Sequence, residues 1–150
     1  ANWDGSIMPE EANMPRYVVK KTTNATLGFA AAMAQASRIV AKYRKQLPGL
    51  ADSCLAASKL AYAWAEKNPQ VAYVQNELSD PPVVTGAYDD FKFDDEFFWA
   101  SIELFITTGK ISYFDKSQLG RMLEKGFSYP GWQSVEELGL YSLAKNAARF

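Results

Sequence analysis

Five acids fall close together between residues 89 and 96, and their spacing suggests the first chemistry to consider. Asp89 and Asp90 sit in a loop opened by Thr85 and Gly86, and Asp94, Asp95 and Glu96 follow at the head of an apolar run. Carboxylates gathered this way can hold a hard cation such as calcium, with loop carbonyls filling the shell. They do not match an EF-hand loop, which needs its glycine and closing glutamate at set positions. The plainer alternative is a solvated loop followed by a helix start. Acids in a first turn face free N–H groups and the positive end of the dipole.

Aromatic rings stand beside these acids. Tyr88 precedes Asp89 and Asp90, and Trp132 precedes Gln133 and Ser134. Sugars pack their apolar faces on flat rings and bond their hydroxyls to carboxylates and amides nearby. The helical aromatics Phe97, Phe98, Trp99 and Trp64 read as core instead, and loop aromatics often plug a core from above. Cleaving a glycosidic bond would need two carboxyl groups about 5–10 Å apart across the sugar. Neighbouring acids on one loop point in different directions, and no facing element supplies a partner. No catalytic residue is therefore assigned within the chain.

Composition removes other chemistries. The 150 residues contain no histidine, which removes the usual general base, the usual zinc ligand and every Ser-His or Cys-His arrangement. Cys54 is the only cysteine, lies among Leu50, Leu55 and Ala57, and reads as a structural thiol. The net charge of −1, without a basic block, argues against nucleic acid as a partner. No apolar run approaches the ~18 residues that span a bilayer. Hydrophobic residues at 48% exclude general disorder, and the length suits one core. The chain opens Ala1-Asn2-Trp3 without an initiator Met or a signal sequence, and it stops in what still reads as a helix. The expectation is a piece of a larger protein.

Helices must position these groups. The first is predicted over about 24–43, with Thr22, Thr23 and Asn24 as N-cap candidates. Phe29, Met33, Ala36 and Val40 fall at helical spacing, widened by Leu27, Ala30, Ala34 and Ile39. Pro48-Gly49 breaks the chain, and a second helix is expected over 50–67 with Cys54, Ala57, Ala61 and Trp64 on one face. Asn68-Pro69 ends it. Residues 70–92 form a long connection in which 71–74 and 83–84 read as short strands or extended ribs; loops this long are usually functional or disordered. The third helix, about 93–108, is apolar on most sides, as buried helices are, and Gly109 stops it. A fourth is expected over 112–125, weakened by Gly120. Ser134-Val135-Glu136-Glu137 reads as a capping box that opens a fifth.

The central stretch resembles a known family. Val84-Thr85-Gly86-Ala87-Tyr88 and Asp95-Glu96-Phe97-Phe98-Trp99-Ala100, with Glu103-Leu104-Phe105 and Thr107-Thr108-Gly109, are similar to the middle of the glycoside hydrolase family 9 catalytic domain. Pro15-Arg16-Tyr17-Val18-Val19, Ala25-Thr26-Leu27 and Ala61-Tyr62-Ala63-Trp64-Ala65 extend the likeness over most of the chain.

The resemblance implies an all-α fold, part of an (α/α)6 barrel of alternating inner and outer helices. The third helix would be inner and the second outer. The implied parent is an inverting β-1,4-glucanase of the cellulase or endoglucanase type, secreted or periplasmic. The family's Asp-Ala-Gly-Asp type motif, its histidine-bearing motif and its Asn-Glu segment are all missing, so residues 1–150 read as a single central fragment, inactive alone. Tyr88, Asp90 and Trp132 carry over as glucan contacts. Asp95 and Glu96 match a calcium-binding pair found in some members, whereas Gln133 or Ser134 stands where a later aspartate would be. The competing reading is an all-α helical-hairpin interaction module without catalysis. A half barrel would also leave apolar faces of the first and third helices bare, and an isolated chain would then be expected to self-associate.

Overall fold

The computed structural model describes residues 8–11, 13, 18–75, 86–87, 89–127 and 129–150. The expected rib at 83–84 and the side chain of Tyr88 lie outside that set. Among the described residues the chain is all-α. Its helices are α1 (Thr23–Val40), α2 (Leu50–Lys67), α3 (Asp94–Thr108), α4 (Ile111–Ser117), α5 (Leu119–Glu124) and α6 (Glu136–Lys145). Short 3-10 turns occupy Pro9–Glu11, Ala41–Tyr43 and Ala147–Arg149.

Side-chain bonds fix the helix directions. Asn24, early in α1, bonds the carbonyl of Asp90 just before α3, while Arg38, late in α1, reaches Glu103 and Thr107 late in α3. The two helices are therefore parallel. Asp95 at the start of α3 meets Val135 before α6, and Glu103 meets Ser142 within α6, so α6 is parallel as well. In contrast, α2 runs back: its Ser58 donates to Ala30 O, and Asn68 beyond its end meets Thr23 at the start of α1. The result is an inner row of α1, α3 and α6 whose starts share one end, with α2 and the α4–α5 pair as the return helices. This matches the expected alternation of inner and outer helices.

The core forms two clusters on opposite sides of α3. Ala100 and Leu104 pack with Leu27, Ala30, Ala31 and Ala34 of α1 and with Tyr62 and Ala65 of α2. Phe98, Ile102, Phe105 and Ile106 pack with Met122, against Leu140 and Leu143 of α6. Each large apolar side chain buried this way contributes ~1.5–3 kcal/mol. Because both sides are covered, α3 must be apolar nearly all round, and residues 100–106 are buried without interruption. The third helix is thus not left bare, contrary to expectation. Gly139 of α6 lets the helices approach closely; a Cβ there would lie 2.7 Å from Phe98 Cε1 and 3.2 Å from Trp99 Cα.

Several local expectations are corrected. The buried stripe of α1 is Leu27, Ala30, Ala31 and Ala34, while Phe29 and Ile39 are exposed. The buried face of α2 is Ala51, Ser58, Tyr62 and Ala65, not Cys54, Ala57, Ala61 and Trp64, which are half-buried. Serine and tyrosine conceal that face in a hydrophobic pattern, yet both are satisfied: Ser58 by Ala30 O, and Tyr62 Oη by Ser101 Oγ at 2.7 Å. The expected fourth helix is two, broken at Gln118 (φ 51°) and not at Gly120. The capping box does not form either. Ser134 Oγ bonds Glu136, and the N-cap Val135 makes no side-chain cap.

Candidate functional site

The shared starts of the inner helices gather the sequence-predicted acids. Three loops meet there. Thr23 ties down the first: its hydroxyl donates to Asn68 O (2.6 Å) and accepts from Val71 N (2.8 Å), and its own N–H donates to Val71 O. Val71, which opens the expected rib at 71–74, is thus tied to the start of α1, and residues 71–74 form no strand. Gln75, buried, links this segment to the second loop through Asp89 Oδ1 and Gly86 O. Asp90 shapes that loop by accepting the Lys92 N–H at 3.0 Å. The third loop closes on itself through Gly131 and Ser134, and Gln133 Nε2 donates to Asp89 O at 3.1 Å.

Between these loops lies a pocket of about 190 Å³ lined by Asn24, Tyr73, Asp90, Glu96 and Trp132. The structure therefore brings Trp132, distant in the sequence, to Asp90 and Glu96 of the acidic stretch. Trp132 is 59% exposed, leaving ring surface open to a ligand. Tyr88 lies outside the described residues. Tyr73 and Asn24, with Thr22 and Ala25, complete the lining, and sequence reasoning had not singled them out for this place. The sequence marks Tyr73 only as one more loop aromatic, and Asn24 only as a cap candidate.

The acids of the first turn of α3 differ in their surroundings. Burial works to raise the Asp94 carboxyl, but the hydrogen bond from Lys125 (2.5 Å) and that lysine's charge outweigh it and hold the group below its ordinary value. Asp95 is buried, which pushes its carboxyl up, although Oδ2 accepts the Val135 N–H at 2.9 Å. Glu96 is pushed to about 8, first by burial and then by the neighbouring charges of Asp95 and Asp90. One oxygen on each of Asp90, Asp95 and Glu96 is buried with no N–H or hydroxyl donor, and the Asp95 and Glu96 carboxyls lie close enough to share a proton. Unpaired buried carboxylate oxygens are costly unless a cation, water or proton serves them.

These orphaned oxygens fit a hard cation in chemical type. Among the described residues, however, no three His, Cys, Asp or Glu side chains converge closely enough to hold a metal by themselves. Neither residue at the position of the later aspartate fills that gap: Gln133 bonds Asp89 O, and Ser134 bonds Glu136. Nor do the acids form a hydrolytic pair. Asp90, Asp95 and Glu96 crowd one corner, whereas inversion needs carboxyl groups about 6.5–9.5 Å apart on opposite sides of the sugar.

Deeper in the inner row lies a second polar cluster. Glu103, fully buried, pairs with Arg38 and accepts from Ser142 Oγ (2.5 Å) and Trp99 Nε1 (3.3 Å). Arg38 also donates to Glu103 O and to Thr107 Oγ1. The cluster joins α1, α3 and α6 below the pocket. A single charged residue beyond the first turn of an apolar helix and a lone Arg late in an alanine-rich one were its signal in the sequence.

Comparison with known proteins accounts for this arrangement. The family model described as glycosyl hydrolase family 9 matches residues 1–148. A xyloglucan-specific endo-beta-1,4-glucanase from Bacteroides ovatus is 41% identical over 143 residues, covering 93% of this chain and 24% of that protein. A solved Bacteroides ovatus family 9 structure superposes with a TM-score of 0.81 at 41% identity, covering 93% of this chain and 26% of the other. A zinc-binding triple mutant of the family 9 endoglucanase J30 superposes at 0.78 with 30% identity, covering 93% and 25%. The chain thus spans about a quarter of the proteins it matches. With a family model covering nearly its whole length and a close superposition on solved members, the chain belongs to glycosyl hydrolase family 9.

Proposed function

We propose that residues 1–150 are a central segment of an inverting endo-β-1,4-glucanase and form part of its glucan cleft. The observation that carries this reading is the pocket where Asp90, Glu96 and Trp132 meet at the common end of the inner helices. An indole face beside carboxylates and an amide suits a sugar ring, with apolar stacking on one side and hydroxyl bonding on the other. Tyr88, next to Asp89 in sequence, joins Asp90 and Trp132 as a proposed substrate contact. The proton donor and the base that activates water lie outside this segment. The segment alone is inactive, and the rest of the catalytic domain is its first partner.

Asp95 and Glu96 are the proposed calcium ligands, assisted by loop carbonyls or water. When bound, the ion would neutralise two buried carboxylates and brace the start of α3; it has no part in bond cleavage. The parent is proposed to be exported, as an enzyme acting on a polymeric β-glucan must be. Membership of a hydrolase family favours this reading over the interaction module.

The test is hydrolysis of a soluble β-1,4-glucan by the polypeptide of the whole gene and by the 150-residue chain. The expected result is turnover by the first alone, releasing products of inverted anomeric configuration in proton NMR. Tyr88→Ala and Trp132→Ala in the longer enzyme should raise KM without lowering Tm. Turnover by the 150-residue chain, or retained configuration in the products, would overturn the proposal.

A further inference from the structure

Gln75, Asp89 and Gln133 are not among the residues that line the 190 Å³ pocket, yet together they join the loops that carry its walls. Gln75 is only 7% exposed and ends the segment that Thr23 ties to α1 at Val71. Its backbone N–H donates to Asp89 Oδ1 at 3.1 Å, and its Nε2 donates to Gly86 O at 2.9 Å. Asp89 passes the link on, since its carbonyl accepts from Gln133 Nε2 at 3.1 Å. Asp89 is therefore the joint, with its carboxylate on one loop and its carbonyl on another.

Each member of this relay stands next to the pocket wall in sequence. Tyr73 lies just before Gln75, Asp90 follows Asp89, and Trp132 precedes Gln133. Tyr88, the other proposed substrate contact, falls in sequence between the bonds at Gly86 and Asp89. Residues 71–74 and 89–92 lie outside any helix, so bonds of this kind must set their spacing. A buried neutral amide suits the centre of such a relay. It supplies donors to two loops without the cost of a buried charge.

We propose that Gln75, Asp89 and Gln133 are positioning residues for glucan binding, holding the Trp132 ring and the Asp90 carboxylate at the separation one sugar ring requires. The inference rests on the reading of this pocket as part of the glucan cleft. Stacking on the indole and hydroxyl bonding to the carboxylate must be met by the same sugar. A loop displaced by about 1 Å satisfies one and loses the other.

The experiment is steady-state kinetics on a soluble β-1,4-glucan with the polypeptide of the whole gene. Asp89→Ala removes the acceptor for the Gln75 N–H, and Gln75→Leu removes the donor to Gly86 O, so the two break different bonds of one joint. Each should raise KM about fivefold, the effect of one hydrogen bond of ordinary net strength, with kcat held within about twofold. Asp89→Asn, which keeps an acceptor oxygen, should return KM to near its unsubstituted value. Added to Trp132→Ala, Asp89→Ala should raise KM by less than it does alone, because the ring it positions is already gone. An unchanged KM in both Asp89→Ala and Gln75→Leu, beside a raised KM in Trp132→Ala, would overturn the positioning role and leave the glucan reading standing. An unchanged KM in Trp132→Ala, or no turnover by the whole polypeptide, would overturn both. Full additivity with Trp132→Ala, or loss of the folded state in both single variants by circular dichroism, would overturn the positioning role as well, since the bonds would then serve stability alone.

Discussion

Glu103→Ala is the substitution that most directly tests how the inner row holds together. It deletes the partner of Arg38 and the acceptor for Ser142 Oγ and Trp99 Nε1. Removing one member of a buried ion pair costs ~3–5 kcal/mol, because the remaining charge is left uncompensated. Arg38 is not wholly abandoned: it keeps Glu103 O at 3.0 Å and Thr107 Oγ1 at 2.6 Å, and its side chain is 16% exposed. The loss should therefore fall at the lower end, ~3 kcal/mol. For a chain of this size that lowers Tm by about 6–12 °C. Glu103→Gln keeps an acceptor oxygen and should cost only ~1–2 kcal/mol. Arg38→Met with Glu103→Leu removes both charges and should recover most of the loss, since a well-packed apolar replacement of a buried pair is often neutral. Urea unfolding followed by circular dichroism gives all three values, and the double-mutant cycle gives the coupling. A loss below ~1 kcal/mol for Glu103→Ala, or a double variant less stable than the single one, would refute the reasoning.

Other substitutions test other parts of the fold. Gly139→Ala places a methyl 2.7 Å from Phe98 and presses on the α3 backbone at Trp99, so its helix propensity gain should be outweighed; Tm should fall by about 3–6 °C, and a rise would show that α6 can shift freely. Gln118→Gly relieves a left-handed conformation at φ 51° and should stabilise by ~0.5–1 kcal/mol, with a drop in Tm counting against a backbone origin for the break. One millimolar calcium added after chelation should raise Tm if Asp95 and Glu96 bind it; at a hundredfold excess over Kd the gain is ~2.7 kcal/mol, and Asp95→Asn with Glu96→Gln should abolish it. No response in the unsubstituted chain would remove the metal reading.

Helix existence was legible in the sequence where composition and punctuation agreed. Helix α3 begins and ends within a residue of expectation, because acids open it and Gly109 adopts φ 68° as its C-cap. The faces of α1 and α2 were not legible. Alanine and large apolar residues occur nearly all round α1, so period alone could not distinguish the side turned to α3 from the side left open. In α2 the buried side holds Ser58 and Tyr62, whose hydroxyls are satisfied only by partners on α1 and α3. The capping box failed because its Ser134 is committed elsewhere: the Ser134 N–H turns back to Gly131 O, and its hydroxyl bonds Glu136 instead of the Glu137 N–H. The acids and Trp132 were recognised as candidates, but their meeting in one pocket depends on three loops closing together, which linear spacing does not encode.

The Thr23 clasp also has a consequence for the order of folding. One hydroxyl and one N–H tie the start of α1 to Asn68 and Val71, just beyond the end of α2. The hairpin they close is contiguous in sequence, and most of its contacts are local, the kind that form fast. It also precedes α3 to α6 and would leave a ribosome before them. The Glu103 cluster, by contrast, needs α1, α3 and α6 all in place. We expect the amides of α1 and α2 to gain hydrogen-exchange protection early in refolding, before those of α6. On that view the hairpin is a template formed in advance, its α1 already the first stave of the inner wall and α3 the next.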